Sequence, residues 1–480
     1  MSIETDTPNL SVSLRVRALR GMALSLMGGG ASQGLRLLSN LILSRLLFPE
    51  AFGLMAIVSM VNMGLEMVSD FGVRLAIIQH RSGENRDFLD TAWTLQVLRG
   101  FLLWGVGTLL AFPMAYFYKQ DALLALIPAA SAAAALGGFA STKIATLTRR
   151  IQFARIVAID FGGKLISVIV MVTLAFVYRS VWALVVGSLL QVTVQTLLSH
   201  VAIPGARDHF RWHPEHAREI LNFGKWILLS SLFTFLGRRM DVIVLARLVA
   251  IDVLGVYSIG VLASTLTRAL FGRFAHVLMA SFSEAKRHGP EHLRTNLRST
   301  KRLVLPAGAL VCTLIVAIAP SIFQYLYDPR YHDAGWITQL SAGVLWFSTL
   351  QDVNGRAMVA LGDSPNFALS NGVRTVVSSV GCVVGFIWLG LAGALIGLIL
   401  GGAAAWAVGL LVLRTHGLGS PLEDVAVTLC GGLMCLACAL PARYWAEPQQ
   451  VALVTLAVGA GLLLPAGTGF GVYAWRTLAR

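Results

Sequence analysis

Arg238, Arg239 and Asp241 interrupt an otherwise apolar run, FTFLGRRMDVIVLARL, at residues 233–248. A guanidinium is planar, always charged and donates a forked pair of hydrogen bonds, which suits a phosphate or a carboxylate. A charge near the centre of a bilayer costs roughly 2.5–3.5 kcal/mol even on the most lenient scale. Arginines in such a run need a water-filled cavity or an anionic ligand, so the chemistry to expect is anion binding. At about 100° per residue, Ser231, Thr234, Arg238 and Asp241 share an arc of about 80°. Arg239 lies about 100° away from Arg238 and is expected to meet a neighbouring helix. On the first apolar segment Gly29, Ser32, Gln33, Arg36 and Asn40 form a comparable stripe, and on the second Ser59, Asn62, Glu66 and Asp70 do so. Arg36 and Arg238 are the first candidates to hold an anion, with Gln33 and Asn40 beside them and Arg268 and Arg374 as further cations. Asp241 and Glu66 are the candidates to carry a coupling proton or sodium ion.

Nine basic residues fall within apolar segments, namely Arg36, Arg99, Lys164, Arg238, Arg239, Arg268, Arg273, Arg356 and Arg374, against four comparably deep acids. Some of this charge has a structural explanation. Asp160 with Lys164, and Asp352 with Arg356, are four apart on their helices and suit local pairing. Arg99, Arg273 and Arg374 lack a local acid, and arginine near a helix end can snorkel to the interface.

The elements that carry these residues must cross a membrane. Of 480 residues, 56% are hydrophobic and only 13% charged, and mean hydropathy is +0.72; a soluble chain carries about 25% charged residues. Fourteen continuous apolar segments of about 20 residues or more lie between residues 20 and 475, each long enough for a hydrocarbon core of about 30 Å. They do not alternate every second residue, which excludes a β-barrel. The expected fold is an all-α polytopic membrane protein. The weakest division falls within 365–414, where WLGLAGALIG supplies the turn. Termini and even-numbered loops hold 23 basic residues and odd-numbered loops six, which places both termini in the cytoplasm.

The chain also repeats itself. LSRLLFPEAFGLM from Leu43 matches LARLVAIDVLGVY from Leu245 at an offset of 202 residues, so Arg45 falls on Arg247, Gly53 on Gly255 and Arg36 on Arg238. Asn62 falls on Ser264 and Glu66 on Arg268. The expected organisation is a cytoplasmic N-terminus (1–19), a six-helix bundle (20–203), a basic cytoplasmic linker (204–219), a second six-helix bundle (220–414), and a further helix pair with a cytoplasmic tail (415–480). Both bundles have one orientation, which implies a parallel repeat with a substrate path between the halves. The basic loops suit anionic headgroups.

LILSRLLFPEAFGLMAIVSMVNMGLEMVSDFGVRLAIIQH resembles the first helix pair of the polysaccharide transporters, the Wzx-type oligosaccharide flippases of the MOP superfamily. REILNFGKWILLSSLFTFLGRRMDVIVLARLVAIDVLGVYSIG is similar to that family's seventh and eighth helices, and LYDPRYHDAGWITQLSAG to its turn before helix ten. The similarity runs over roughly residues 15–415. It implies two six-helix bundles (MOP-like) in the bacterial inner membrane that move an undecaprenyl-diphosphate-linked oligosaccharide between leaflets by alternating access, among membrane lipids and other polysaccharide assembly proteins. A net-positive cavity suits the diphosphate.

Rival readings remain open. A flippase for the lipid-linked peptidoglycan precursor fits the same physics. A MATE-like drug or cation exporter is expected to have an acid-weighted cavity and twelve helices. A membrane glycosyltransferase or polysaccharide polymerase is expected to show a large external loop, and an enzyme is not expected here. Cys430, Cys435 and Cys438 in CGGLMCLAC copy one iron–sulfur spacing but suit small residues of a membrane helix better. Gly467, Gly469 and Gly471 of GTGFG open no βαβ unit, and Gly393, Gly397 and Gly401 are expected at a close helix contact. No metal, cofactor or nucleic-acid partner is expected.

Overall fold

The computed structural model describes residues 7–68, 73, 77–78, 85–149, 152–205, 207–215, 235–237, 239–418, 424–433 and 435. All regular elements among the described residues are helical. The chain divides into two compact units, residues 1–255 and 256–480.

In the first unit α1 (Thr7–Leu46), α2 (Pro49–Val68), α3 (Arg86–Tyr118), α4 (Leu123–Gly138), α5 (Lys143–Arg149), α6 (Phe153–Tyr178) and α7 (Trp182–Val201) follow in order. A helical stretch at 239–248 comes next, and α8 (Ile251–Gly260) straddles the division. The second unit holds α9 (Leu262–Arg287), α10 (Pro290–Tyr325), α11 (Ala334–Leu361), α12 (Ser364–Thr415) and the short α13 (Asp424–Leu433). Six of the described helices are long and apolar enough to cross a membrane, or up to eight if two bent pairs are single spans. The bent pairs are α4 with α5, at 64°, and α8 with the first part of α9, at 41°. Of the expected segments, 450–475 and most of 220–246 lie outside the described residues.

Local chemistry explains where helices start and stop. Asn85 caps α3 by accepting from the Asp87 amide at 2.9 Å, satisfying one of the orphan donors of a helix start. Asp363 does the same for α12 after Gly362, whose φ of 82° lets α11 end in the left-handed region. Gly390 has φ 62° and ψ −145°, so α12 is two arms turned at the place where WLGLAGALIG predicts a turn. Each arm exceeds the ~20 residues a span requires. The arms then pack backbone to backbone. A Cβ at Gly393 would lie 2.0 Å from the Gly385 carbonyl oxygen, one at Gly397 2.1 Å from Gly381, and one at Gly401 2.0 Å from Ser378 Oγ. The run Gly393, Gly397, Gly401 is therefore a close helix contact, as expected.

The same device joins the repeat-related turns. A Cβ at Gly53 would meet the Ile251 carbonyl oxygen at 2.0 Å, and one at Gly255 would meet that of Pro49 at 1.8 Å. The start of α2 and the stretch 251–255 thus cross at their two equivalent glycines. Gly64 on α2 is covered by Phe235 in a similar way. These contacts hold residues 235–255 in the first unit, whereas the sequence repeat would divide the chain in the linker.

The linker itself is docked. The amides of His209, Arg211 and His213 donate to Asp90, Thr94 and Thr91 on α3 at 3.1, 3.0 and 3.3 Å. Alternate residues of this irregular segment thereby satisfy side chains of one helix face. Phe210 stacks on Trp93, with centroids 4.6 Å apart, and Asp208 accepts from Ser141 and Thr142 where α4 gives way to α5. Arg211 pairs with Asp87 at 2.6 Å, with both side chains partly exposed.

Candidate functional site

The first unit gathers the charges picked out by periodicity. Arg36 stands three-quarters of the way along α1, and its carbonyl accepts from Asn40 Nδ2 at 2.7 Å and Ser39 Oγ at 3.0 Å. Those bonds fix Asn40 to the backbone beside the guanidinium. Ser32 is buried, and Gln33, one turn before Arg36, has a buried Oε1 without a hydrogen-bond partner. On the stretch 239–248, Arg239 reaches the neighbouring helix, donating from Nε to Met63 Sδ on α2 at 3.0 Å. The positive charge of Arg239 acts on that of Arg36. Among the described residues, neither Arg36 nor Arg239 has a carboxylate within ion-pair distance. Two like charges of the first unit therefore act on each other with no acid paired to either among the described residues. That arrangement costs energy unless an anion or water stands between them.

Glu66, on α2, has a cation of its own. Arg99 of α3 donates from Nη2 to the Glu66 carbonyl at 2.9 Å, and its charge acts on the Glu66 carboxylate. Sequence spacing gives Arg99 no local acid because the partner is on another helix. One turn earlier on α2, Asn62 Oδ1 accepts from Ser131 Oγ on α4 at 2.8 Å, and a narrow cleft runs along Asn62, Glu66, Ser131 and Ala134. Asp241 is half-buried on the same turn of helix as Arg239, while Arg238 and Asp70 lie outside the described residues.

The second unit repeats one of these contacts. Ser264, the equivalent of Asn62, bonds Ser341 Oγ on α11 at 2.6 Å. Arg268, the equivalent of Glu66, is half-buried one turn further along α9. Arg374 on α12 donates to Ser348 Oγ at 3.4 Å. Asp352 and Arg356 are both half-buried on α11. Asp160, expected to face Lys164, accepts from Gln195 Nε2 on α7 at 2.9 Å. Cys430 is exposed, Cys435 Sγ lies 3.6 Å from Thr313 Oγ1, and Cys438 and GTGFG lie outside the described residues.

A second cationic place in the first unit is an open cavity of about 390 Å³ where α3 ends, lined by Lys119, Asp121 and Arg247, with the Arg247 guanidinium 5.9 Å above the Phe117 ring. Arg239 is the residue that sequence reasoning left out of the site. Its angular offset showed that it meets another helix, but the wheel could not show that α1 brings Arg36 to the same helix.

The sequence family described as "Polysaccharide biosynthesis protein" matches residues 42–332, well over half of the chain. The chain is similar to the lipopolysaccharide biosynthesis protein WzxC of Escherichia coli K12, 24% identical over 276 residues that cover 55% of this chain and 56% of that protein. It is also similar to the teichuronic acid biosynthesis protein TuaB of Bacillus subtilis 168, 22% identical over 304 residues and 62% of each chain. An uncharacterized membrane protein in the cps region of Klebsiella pneumoniae is 23% identical over 52% of this chain and 51% of its own. The chain thus spans only about half to three-fifths of the length of these curated relatives. In fold it is similar to the lipid II flippase MurJ in its inward closed conformation, with a TM-score of 0.71 at 13% identity over 95% of this chain and 100% of that one. An inward-facing multidrug resistance MATE family transporter of the MOP superfamily gives a TM-score of 0.65 at 16% identity, covering 82% and 95%. The fold is that of an α-helical, multi-pass membrane protein.

Proposed function

The chain belongs to the polysaccharide biosynthesis protein family, and on that premise we propose that it is a flippase for a lipid-diphosphate-linked oligosaccharide. The observation that carries this reading is that Arg36 and Arg239, in the first unit, act on each other electrostatically with no acid paired to either among the described residues. A diphosphate supplies the charge and the acceptor oxygens that such a pair lacks. Arg238, on the stripe that repeats Arg36, is assigned to the same anion, with Arg268 and Arg374 as later contacts. Gln33 and Asn40 orient it. The names of WzxC and TuaB, each a biosynthesis protein for a surface polysaccharide, point to the same class of substrate. The undecaprenyl carrier, the bacterial inner membrane and cytoplasmic termini belong to this proposal.

In this account no covalent bond is made or broken. Residues 15–200 rock against residues 217–415 and expose the anion first to one leaflet and then to the other. Release is helped by a proton or sodium ion at Asp241 or Glu66. Because Glu66 stands beside Arg99, gain of a proton there frees Arg99 to compete for the anion.

Purified protein in liposomes tests the reading. It is expected to move a fluorescent lipid-diphosphate oligosaccharide between leaflets and to leave an organic cation where it is. Transport of the cation alone would replace the proposal with a MATE-like exporter. Equal transport of the peptidoglycan precursor would widen the substrate class without moving the site.

A further inference from the structure

The cavity of about 390 Å³ where α3 ends lies against the helical stretch 239–248, and two contacts fix its walls. Tyr118 Oη donates to the Ile243 carbonyl at 3.5 Å, and the Arg247 guanidinium lies 5.9 Å above the Phe117 ring. Ile243 and Arg247 are one turn apart, so two successive residues of α3 grip one side of that stretch. Phe117 and Tyr118 brace each other edge to face, with centroids 5.0 Å apart. The cavity is a built feature of the first unit.

Its depth in the bilayer follows from the helix. The 33 residues of α3 rise about 1.5 Å each, about 50 Å in all, whereas a bilayer with its headgroup layers is about 40–45 Å thick. A helix of that length that crosses the bilayer carries its last turn into a headgroup layer. Phe112, Tyr116 and Phe117 in its last two turns are exposed, which is where aromatic residues gather between hydrocarbon and headgroups. The occupant to expect is a lipid headgroup.

The charges select which one. Lys119 and Arg247 both line the cavity, and Asp121 does too. Among the described residues neither cation has a carboxylate within ion-pair distance, so Asp121 neutralises neither. Lys119 closes α3 with φ 55° and ψ 45°, in the left-handed region that favours glycine. A lysine kept there at a steric cost points to a use for its amine. A phosphate suits the two cations, and a primary ammonium can donate to Asp121. A purely anionic headgroup would leave Asp121 facing a like charge, and a trimethylammonium has no N–H to give it. We propose that this cavity binds the headgroup of an aminophospholipid, with the phosphate at Lys119 and Arg247 and the ammonium at Asp121. The site is independent of the anion site proposed above.

Photo-crosslinking of the full chain in lipid nanodiscs tests it. The cross-linker p-benzoylphenylalanine replaces Tyr116, which lines the cavity and is 89% exposed. As the reference it replaces Trp388, 82% exposed beside the Gly390 turn, where residues 375–413 carry no charge. The discs hold equal amounts of phosphatidylethanolamine, phosphatidylglycerol and phosphatidylcholine, and mass spectrometry identifies the attached lipid. The expected result is about fivefold enrichment of phosphatidylethanolamine at position 116 over position 388, the scale of one charge contact at a headgroup. Lys119→Gly removes the amine and suits the left-handed backbone, so it is expected to keep the unfolding temperature and lose the enrichment. Asp121→Asn is expected to admit phosphatidylglycerol equally. Glycerophosphoethanolamine added at the concentration of the lipid is expected to leave the cross-links unchanged; loss of the lipid to it would make the ligand a soluble phosphodiester and overturn the proposal. The same lipid mixture at both positions, enrichment of phosphatidylglycerol at position 116 in the unaltered chain, or enrichment that survives Lys119→Gly would each overturn it as well.

Discussion

Arg36 and Arg239 sit in different helical stretches, and their charges act on each other. The proposed function gives Arg239 the same weight as the stripe residue Arg36, although only the second was legible from a 3.6-residue period. Loss of one charge-assisted contact costs about 1.5–3 kcal/mol, so Arg239→Ala is expected to slow translocation by about tenfold to a hundredfold. Initial rates in proteoliposomes read this directly, with thermal unfolding as the check that the fold survives. Arg247→Ala, in the separate cavity where α3 ends, is expected to leave the rate within about twofold. If the two variants behave alike, charge in general is being felt and not this pair. Residue types and periodicity thus revealed which cations lie within the apolar segments and on which face. They could not reveal that Arg99 meets Glu66 or that Gln195 meets Asp160, because those partners come from helices distant in the chain.

At the scale of elements, small residues and turn chemistry decide the packing. The α12 hairpin depends on backbone contact at Gly385 and Gly393, so Gly393→Val must force the arms apart. Overpacking of this kind costs about 1–3 kcal/mol, visible as a lowered unfolding temperature. The Gly390 turn and the glycine run were both legible, since glycine spacing reports close approach directly. The docking of the linker was not. Its basic composition resembles any cytoplasmic loop, and the Asp87, Asp90, Thr91 and Thr94 face that binds it belongs to α3. The Lys301–Asp424 pair was equally hidden, because Lys301 falls in a basic loop-like stretch. Lys301→Met is expected to destabilise the second unit by about 3–5 kcal/mol by leaving Asp424 unpaired, whereas Lys301→Met with Asp424→Leu recovers most of the loss. A double variant no more stable than the single one would contradict that.

A second element depends on pH. In the turn before α11, side-chain bonds from Arg330 at 2.7 and 3.1 Å hold the Asp328 carboxyl below its usual range, and the Arg330 amide adds to this. A carboxyl whose folded pKa is depressed contributes stability that is complete above its unfolded pKa and is lost as pH falls through the folded one. Asp328→Asn should therefore unfold at a lower temperature than the unaltered protein at neutral pH. The gap should close as pH falls below the ordinary carboxylate range. A gap independent of pH would assign the effect to shape instead of charge.

For the whole molecule, the all-α polytopic fold followed from apolar segments alone, and the repeat at 202 residues located the glycines that cross at Gly53 and Gly255. The compact units divide at Gly255, where residues 235–255 pack with the first unit. The central claim is the proposed one: Arg36 and Arg239, which have no acid paired to either among the described residues, hold a diphosphate. The most direct measurement is leaflet-to-leaflet transport of a lipid-diphosphate oligosaccharide by Arg36→Gln/Arg239→Gln protein in liposomes, beside the unaltered chain. The account predicts that the unaltered chain transports it and that the folded double variant does not. Undiminished transport by the double variant would show that the diphosphate is held elsewhere.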